Sequence, residues 1–311
     1  MENTALLEFT VSISTVERET GLSKDTLRIW ERRYGFPQPK RDGNGDRVYN
    51  LSQVERLRLI KRLIDRGERP GKIVAKQANE LAELAAQRDL SSTLDTEASH
   101  ELSNYVRLIK QHDTTGLRSA FKNTLAQQGL QSFLVDTITP LSTYVGGAWM
   151  SGGIHIFEEH LYTEVAQNIL RQAVAGHTLP LRPPKVLLTT LPNEQHGLAL
   201  LMIEAVLVAE GVECVSLGTQ LPIGEIVAAA EAHHCDIVGL SFSGAYPSSK
   251  IPRAVANLRL ALARKIDIWA GGEAIARLKK RLEDATMFET LQDAVTELAV
   301  WRARQERAHP T

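Results

Sequence analysis

Three groups of residues have types and spacings suited to chemistry. Glu194 and His196 stand two apart, between an apolar run ending at Leu191 and a helical run starting near Gly197. That places a carboxylate and an imidazole in a loop at the C-terminal edge of a sheet, where open α/β sheets bind ligands. Ser241 lies at the end of a later strand-like run, and Gly271-Gly272 end the next, so all fall on one edge. Taken alone, His196 reads equally well as a surface loop residue. The second group is Trp149, followed after nine residues by Glu159-His160. An aromatic face beside two polar side chains offers a bound molecule apolar contact and acceptors. The plainer reading is a core tryptophan with a solvated pair. The third group is basic: Lys24, Arg28, Arg32 and Arg33 on one helical run, then Lys40, Arg41, Arg47 and Tyr49 around Asp-Gly-Asn-Gly-Asp. Guanidinium groups contact phosphates and can bond guanine with two N–H groups.

The elements that must position these residues divide the chain into three. Its 311 residues suit two or three domains, and 43% hydrophobic with 23% charged residues excludes a wholly disordered chain. Net charge is −1, yet residues 11–76 hold 16 Lys/Arg against 9 Asp/Glu, a +7 head on a −8 body. Such a split suggests a nucleic-acid head on a different kind of domain. In residues 10–84, a helix over Val11–Gly21, Ser23 as an N-cap and a helix over Lys24–Tyr34 predict a helix-turn-helix. The Gly-rich turn after it predicts a β-hairpin wing, and Leu51–Gly67 a further helix. A polar stretch, 85–97, reads as a linker. Residues 98–177 parse as four helices, about Ser99–His112, Thr114–Gln128, Leu130–Trp149 and Ile154–Ala175, an up-down bundle. The proline-rich stretch from His177 to Pro184 reads as a second linker. In residues 184–305, strands at Lys185–Leu191, Cys214–Leu217, Ile237–Phe242 and Ile266–Ala270 alternate with helical runs, the signature of a doubly wound parallel sheet. The fold class is therefore multi-domain, α and α/β. Cys214 and Cys235 are too few for a disulfide framework and read as core. With neither a signal peptide nor a bilayer-length apolar stretch, the expected location is cytoplasmic, away from membranes.

The head resembles the winged helix-turn-helix of MerR-type transcriptional regulators through TLRIWERRYGFPQP and then GDRVYNLSQVERL. The resemblance implies that helix Lys24–Tyr34 enters the major groove of double-stranded promoter DNA while the wing touches the flanking backbone. A single head covers a half-site, so a homodimer or homotetramer is implied. No cysteine cluster follows the head, which argues against a MerR-type metal sensor.

The third region resembles the cobalamin-binding module of methionine synthase and the corrinoid proteins. That family reads Asp-x-His-x-x-Gly, Ser-x-Leu, then Gly-Gly. Here the series is Glu194-Gln195-His196-Gly197-Leu198-Ala199, Ser241-Phe242-Ser243 and Gly271-Gly272, with 42 residues from Ala199 to Ser241 and 28 from Ser243 to Gly271. The resemblance implies that His196 ligates cobalt from below and that Glu194 orients its imidazole. It implies too that Ser241 bonds the displaced nucleotide tail, with Ser243 in the same segment, and that Gly271 and Gly272 let the backbone approach that tail. Glu194, Ala199 and Ser243 depart from the family's Asp, Gly and Leu, which predicts weaker tail packing.

Trp149, nine residues, then Glu159-His160 resembles the cap of the CarH/LitR-type light-responsive cobalamin repressors. This implies adenosylcobalamin as cofactor, with Trp149 against the adenosyl group and Glu159 and His160 in its immediate surroundings. Function follows as an implication: a repressor, not an enzyme, bound to DNA as an oligomer in the dark and released when light breaks the Co–C bond. Where those proteins place a His after the Trp, this chain has Met150, a softer donor, with His155 five residues on. A cobalamin sensor without photochemistry is the first alternative. A corrinoid methyl carrier is a weaker one, because no barrel-sized catalytic domain is present. A sheet domain that binds some other ligand is the third.

Overall fold

The computed structural model describes residues 10–65, 68–81, 84, 98–150, 153–177, 179–278 and 280–308. The linker expected at 85–97 lies outside them. Two compact units result: Met1–Thr93 with Gly147–Ile154, and Leu94–Gly146 with His155–Thr311.

In the first unit, β1 (Thr10–Ser12), α1 (Ile13–Thr20), α2 (Lys24–Tyr34), β2 (Lys40–Arg41), β3 (Arg47–Asn50), α3 (Leu51–Asp65) and α4 (Pro70–Ile73) follow in order. Ser12 and Ser23 cap α1 and α2 through their hydroxyls, and Gly21 and Gly35 end them in left-handed conformation. The wing forms as expected, with β2 and β3 antiparallel. The start of the expected first helix differs. Residues 10–12 form a strand that pairs with β3, making a three-stranded sheet in the order β1-β3-β2. Val11 and Ser12 alternate in and out there instead of following helical spacing. Val16, Leu27, Trp30, Tyr49, Val54, Leu57 and Ile60 form the core.

The second unit opens with α5 (Ala98–Lys110), α6 (Thr114–Ser132), a wider π-type segment at Phe133–Ile138, α7 (Thr139–Met150, whose residues from Gly147 on fall in the first unit) and α8 (Ile156–Ala175). Gly129 leaves the helical region (φ 80°, ψ 169°), so the chain breaks where the sequence divides Gln128 from Leu130. Phe121, Phe133 and Tyr162 pack edge to face, and the Tyr162 hydroxyl lies 2.6 Å from Ser142 Oγ.

The sheet follows, with β4 (Arg182–Thr189), α9 (Leu198–Ala209), β5 (Val212–Ser216), α10 (Ile223–Ala232), β6 (Ile237–Ser241), α11 (Ile251–Ala261), β7 (Asp267–Gly271), α12 (Glu273–Ala276), β8 (Thr286–Phe288) and α13 (Leu291–Ala308). All strands run parallel, in the order β5-β4-β6-β7-β8. Side-chain alternation separates two layers. Leu187, Val238, Leu240 and Ile268 pack with Ile226 of α10 and Val255 and Leu258 of α11. Val186, Leu188, Ile237 and Trp269 pack with Leu200 and Leu207 of α9 and Leu298 and Trp301 of α13. The first strand begins at Arg182, inside the stretch expected to be a linker. Pro183 and Pro184 have no N–H for the ladder, and the register shifts between Arg182 and Lys185. Cys235 is buried and Cys214 partly so.

Candidate cofactor and DNA sites

The first strand of a sheet with this order has neighbours added on both sides, so its C-terminal end lies at the topological switch point. The loop after β4 is built there. Leu191 anchors it in the core, and Asn193 takes the left-handed turn (φ 72°), which its short side chain tolerates. Thr190 was not singled out by the sequence, yet it fixes the loop. Its hydroxyl donates to the Glu194 carbonyl (2.7 Å) and accepts from the Gln220 N–H (2.8 Å).

Glu194 is 1% exposed, a charge carried into the interior with its partners. Oε1 accepts from the His196 backbone N–H (3.0 Å) and from ring Nδ1 (2.7 Å). Oε2 accepts from the Ser243 backbone N–H (2.8 Å) and hydroxyl (2.8 Å). Burial pushes the carboxyl up, but the bonds from His196 and Ser243 outweigh it and hold Glu194 below the usual carboxylate range. With a carboxylate facing Nδ1, the proton is assigned there, and Nε2 is left with a lone pair. The His196 side chain is 59% exposed, so that lone pair belongs to an accessible imidazole.

Ser241 ends β6, 5% exposed and in register with Gly271 at the end of β7. The two glycines differ in what they require. A Cβ on Gly272 (φ 108°) would lie 2.4 Å from the Phe242 carbonyl oxygen, so the fold itself demands glycine there. A Cβ on Gly271 would meet nothing nearer than 3.8 Å. Its bare backbone is therefore unexplained by its neighbours and suits close approach of a ligand. A single accessible imidazole with a defined tautomer, beside an open glycine edge, fits a corrin, which brings its own equatorial nitrogens. His196 would hold the metal, and Ser241, Ser243, Gly271 and Gly272 the edge beside it.

On α8, Glu159 Oε2 lies 2.6 Å from His160 Nδ1, and Oε1 accepts from the Thr163 hydroxyl (2.9 Å). His160 is exposed and Glu159 half-buried. Glu158, which the sequence did not single out, is the buried member of this turn. It accepts from the His155 N–H (2.6 Å) and lies 3.2 Å from His112 Nε2. Trp149, half-buried, is the penultimate residue of α7 and belongs to the first unit.

In the head, Leu27 and Trp30 of α2 face the core, while Arg28, Arg32 and Arg33 are exposed and Lys24 half-buried. Lys40 and Arg41 are exposed on the wing, where Arg41 donates to the Gly45 carbonyl. Arg47 Nε donates to Glu31 Oε2 (2.9 Å), tying wing to helix. Tyr49 departs from the expectation of a DNA contact. It is fully buried, because alternation along β3 turns it into the core.

Residues 11–76 match the MerR HTH family of regulatory proteins, and residues 184–299 match the B12 binding domain. The chain therefore joins a MerR-type helix-turn-helix domain to a B12-binding domain. Over most of its length it is similar to two repressors of Myxococcus xanthus. It is 28% identical to the HTH-type transcriptional repressor CarH over 273 residues, 86% of this chain and 91% of that protein. With the HTH-type transcriptional repressor CarA it shares 28% identity over 241 residues, 75% of this chain and 76% of that one. Among solved structures, the monomethylamine corrinoid protein of Methanosarcina barkeri shares the fold of 65% of this chain. There the TM-score is 0.50 at 15% identity, over 99% of that protein. No helix among the described residues is long and apolar enough to cross a membrane.

Proposed function

We propose that this chain is a cobalamin-dependent transcriptional repressor, not an enzyme, that uses adenosylcobalamin to sense light. The observation that carries the reading is the Glu194–His196 clamp at the switch point of a B12-binding domain in a chain that also carries a MerR-type head. When bound, adenosylcobalamin supplies a cobalt–carbon bond that visible light breaks. His196 would hold the cobalt through Nε2, with Glu194 keeping the proton on Nδ1. Ser241, Ser243, Gly271 and Gly272 accommodate the nucleotide tail. Trp149 would offer the adenosyl group apolar surface, and Glu159 and His160 would offer it polar contacts. Lys24, Arg28, Arg32 and Arg33, with Lys40, Arg41 and Arg47 of the wing, meet promoter DNA. In the dark the chain assembles, as a tetramer of head-to-tail dimers, and several heads bind together. After illumination the assembly separates, and a lone head binds too weakly because avidity is lost. The protein works in the cytoplasm, beside its DNA.

The test is reconstitution with adenosylcobalamin in darkness, followed by absorption spectra, size-exclusion and operator binding before and after green light. A spectral change with a fall in mass and in DNA affinity supports the reading. Bound corrin with unchanged mass and affinity favours a sensor without photochemistry, a reading to which Met150 in the position after Trp149 lends weight.

A further inference from the structure

The exposed face of α2 carries one large apolar residue, which phosphate binding does not explain. Asp25, Arg28, Ile29 and Arg32 follow the three- and four-residue spacing of one helical stripe, opposite Leu27 and Trp30 in the core. With Glu31 and Arg47 they line a shallow concave surface. Every member but one is charged, and Arg28 is paired with Asp25 at 3.2 Å. Ile29 sits among them 45% exposed. Its β-branched side chain has essentially one rotamer on a helix, so it presents a stiff apolar surface. Of the groups that base edges display in the major groove, the C5-methyl of thymine is the apolar one.

We propose that Ile29 is a specificity-determining residue, reading the methyl group of one thymine in each half-site. The inference rests on the reading of α2 as the DNA-facing helix and deepens it. Arg28 and Arg32 on either side fix the helix against the backbone, and Ile29 selects A·T at the step it covers. An Ala there would keep the helix and the charges and lose the selection.

The experiment uses the full chain, with and without adenosylcobalamin in the dark, and an operator selected from a random duplex pool. Each thymine is replaced in turn by uracil, which removes only the methyl group. One position per half-site should cost the wild type about fourfold in affinity, the contribution of one buried methyl. Ile29→Ala should bind the thymine and uracil operators equally at that position, with an unchanged salt dependence, and Ile29→Val should restore most of the difference. Equal uracil losses in wild type and Ile29→Ala, or no uracil-sensitive position at all, would overturn the assignment while leaving α2 as the reading helix. Failure of the wild type to select any sequence would overturn both.

Discussion

Ser243 grips one oxygen of Glu194 twice. Its backbone N–H and its hydroxyl both donate to Oε2 at 2.8 Å, across the gap between the ends of β4 and β6. The other oxygen is left wholly to His196. A serine where the resembled family has leucine is thus a third member of the imidazole clamp. The same position lies at the edge assigned to the nucleotide tail, so its substitution separates the two roles. Ser243→Ala keeps the backbone bond and should weaken cobalamin binding about tenfold, while Glu194→Gln should cost nearer a hundredfold, the range seen for partners of metal ligands. Titration of the protein with cobalamin in darkness, followed by absorbance, measures both. If Ser243→Leu binds more tightly than the wild type, the apolar contact outweighs the hydroxyl and the clamp is secondary.

Gly271 and Gly272 are adjacent but should respond differently. Gly272→Ala forces a side chain into a left-handed backbone and against the Phe242 carbonyl. It should destabilise the domain by about 2 kcal/mol or more. Gly271→Ala has room within the fold and should leave the melting temperature within a few degrees of wild type. Because its open surface is where the proposed nucleotide tail would approach, it should weaken cobalamin binding several-fold. Thermal melts of the two apoproteins beside cobalamin titrations decide this. Equal loss of stability in both variants would remove the distinction.

Much of this was legible in the sequence, because the signals were local. Ser23 and Gly35 mark the ends of α2, Gly129 the break in the bundle, and apolar runs the central strands. What was missed depended on tertiary context. β8 has three residues, Thr286–Phe288, too few to show a period, and only pairing with β7 makes it a strand. Arg182–Pro184 reads as linker because proline disfavours strands, yet Arg182 donates its N–H to the Gly211 carbonyl. The Ser243–Glu194 bonds join residues 49 apart in the chain, and no spacing rule announces them. Thr190 escaped for the same reason: its partners are a carbonyl and an N–H, groups every residue has.

The arginines of α2 should act through phosphates. Arg28 and Arg32 are exposed, so their replacement costs the fold little, and each should remove about one phosphate contact. Arg32→Ala should lower operator affinity and reduce the slope of log K against log salt by about one unit. Arg47 differs because its guanidinium is already bonded to Glu31. Arg47→Ala should loosen the wing from the helix, with a smaller change in salt slope than Arg32→Ala. A salt series of binding isotherms on one operator compares them; equal slopes for all three proteins would place DNA on another face.

Tyr49 offers the sharpest separation of core from DNA surface. Its side chain is fully buried among Val16, Leu27, Val54 and Leu57, and its hydroxyl has no hydrogen-bond partner there. A buried hydroxyl without a partner gives up its bonds to water for nothing in return, at a cost of about 1 kcal/mol or more. Tyr49→Phe removes the hydroxyl and keeps the ring that fills the core. It should therefore raise the stability of the head by about 1 kcal/mol and leave operator affinity unchanged. Had Tyr49 faced the DNA backbone, the same substitution would lower affinity without stabilising the fold. Chemical denaturation and operator binding on one preparation distinguish the cases, since the two placements predict different outcomes in both measurements.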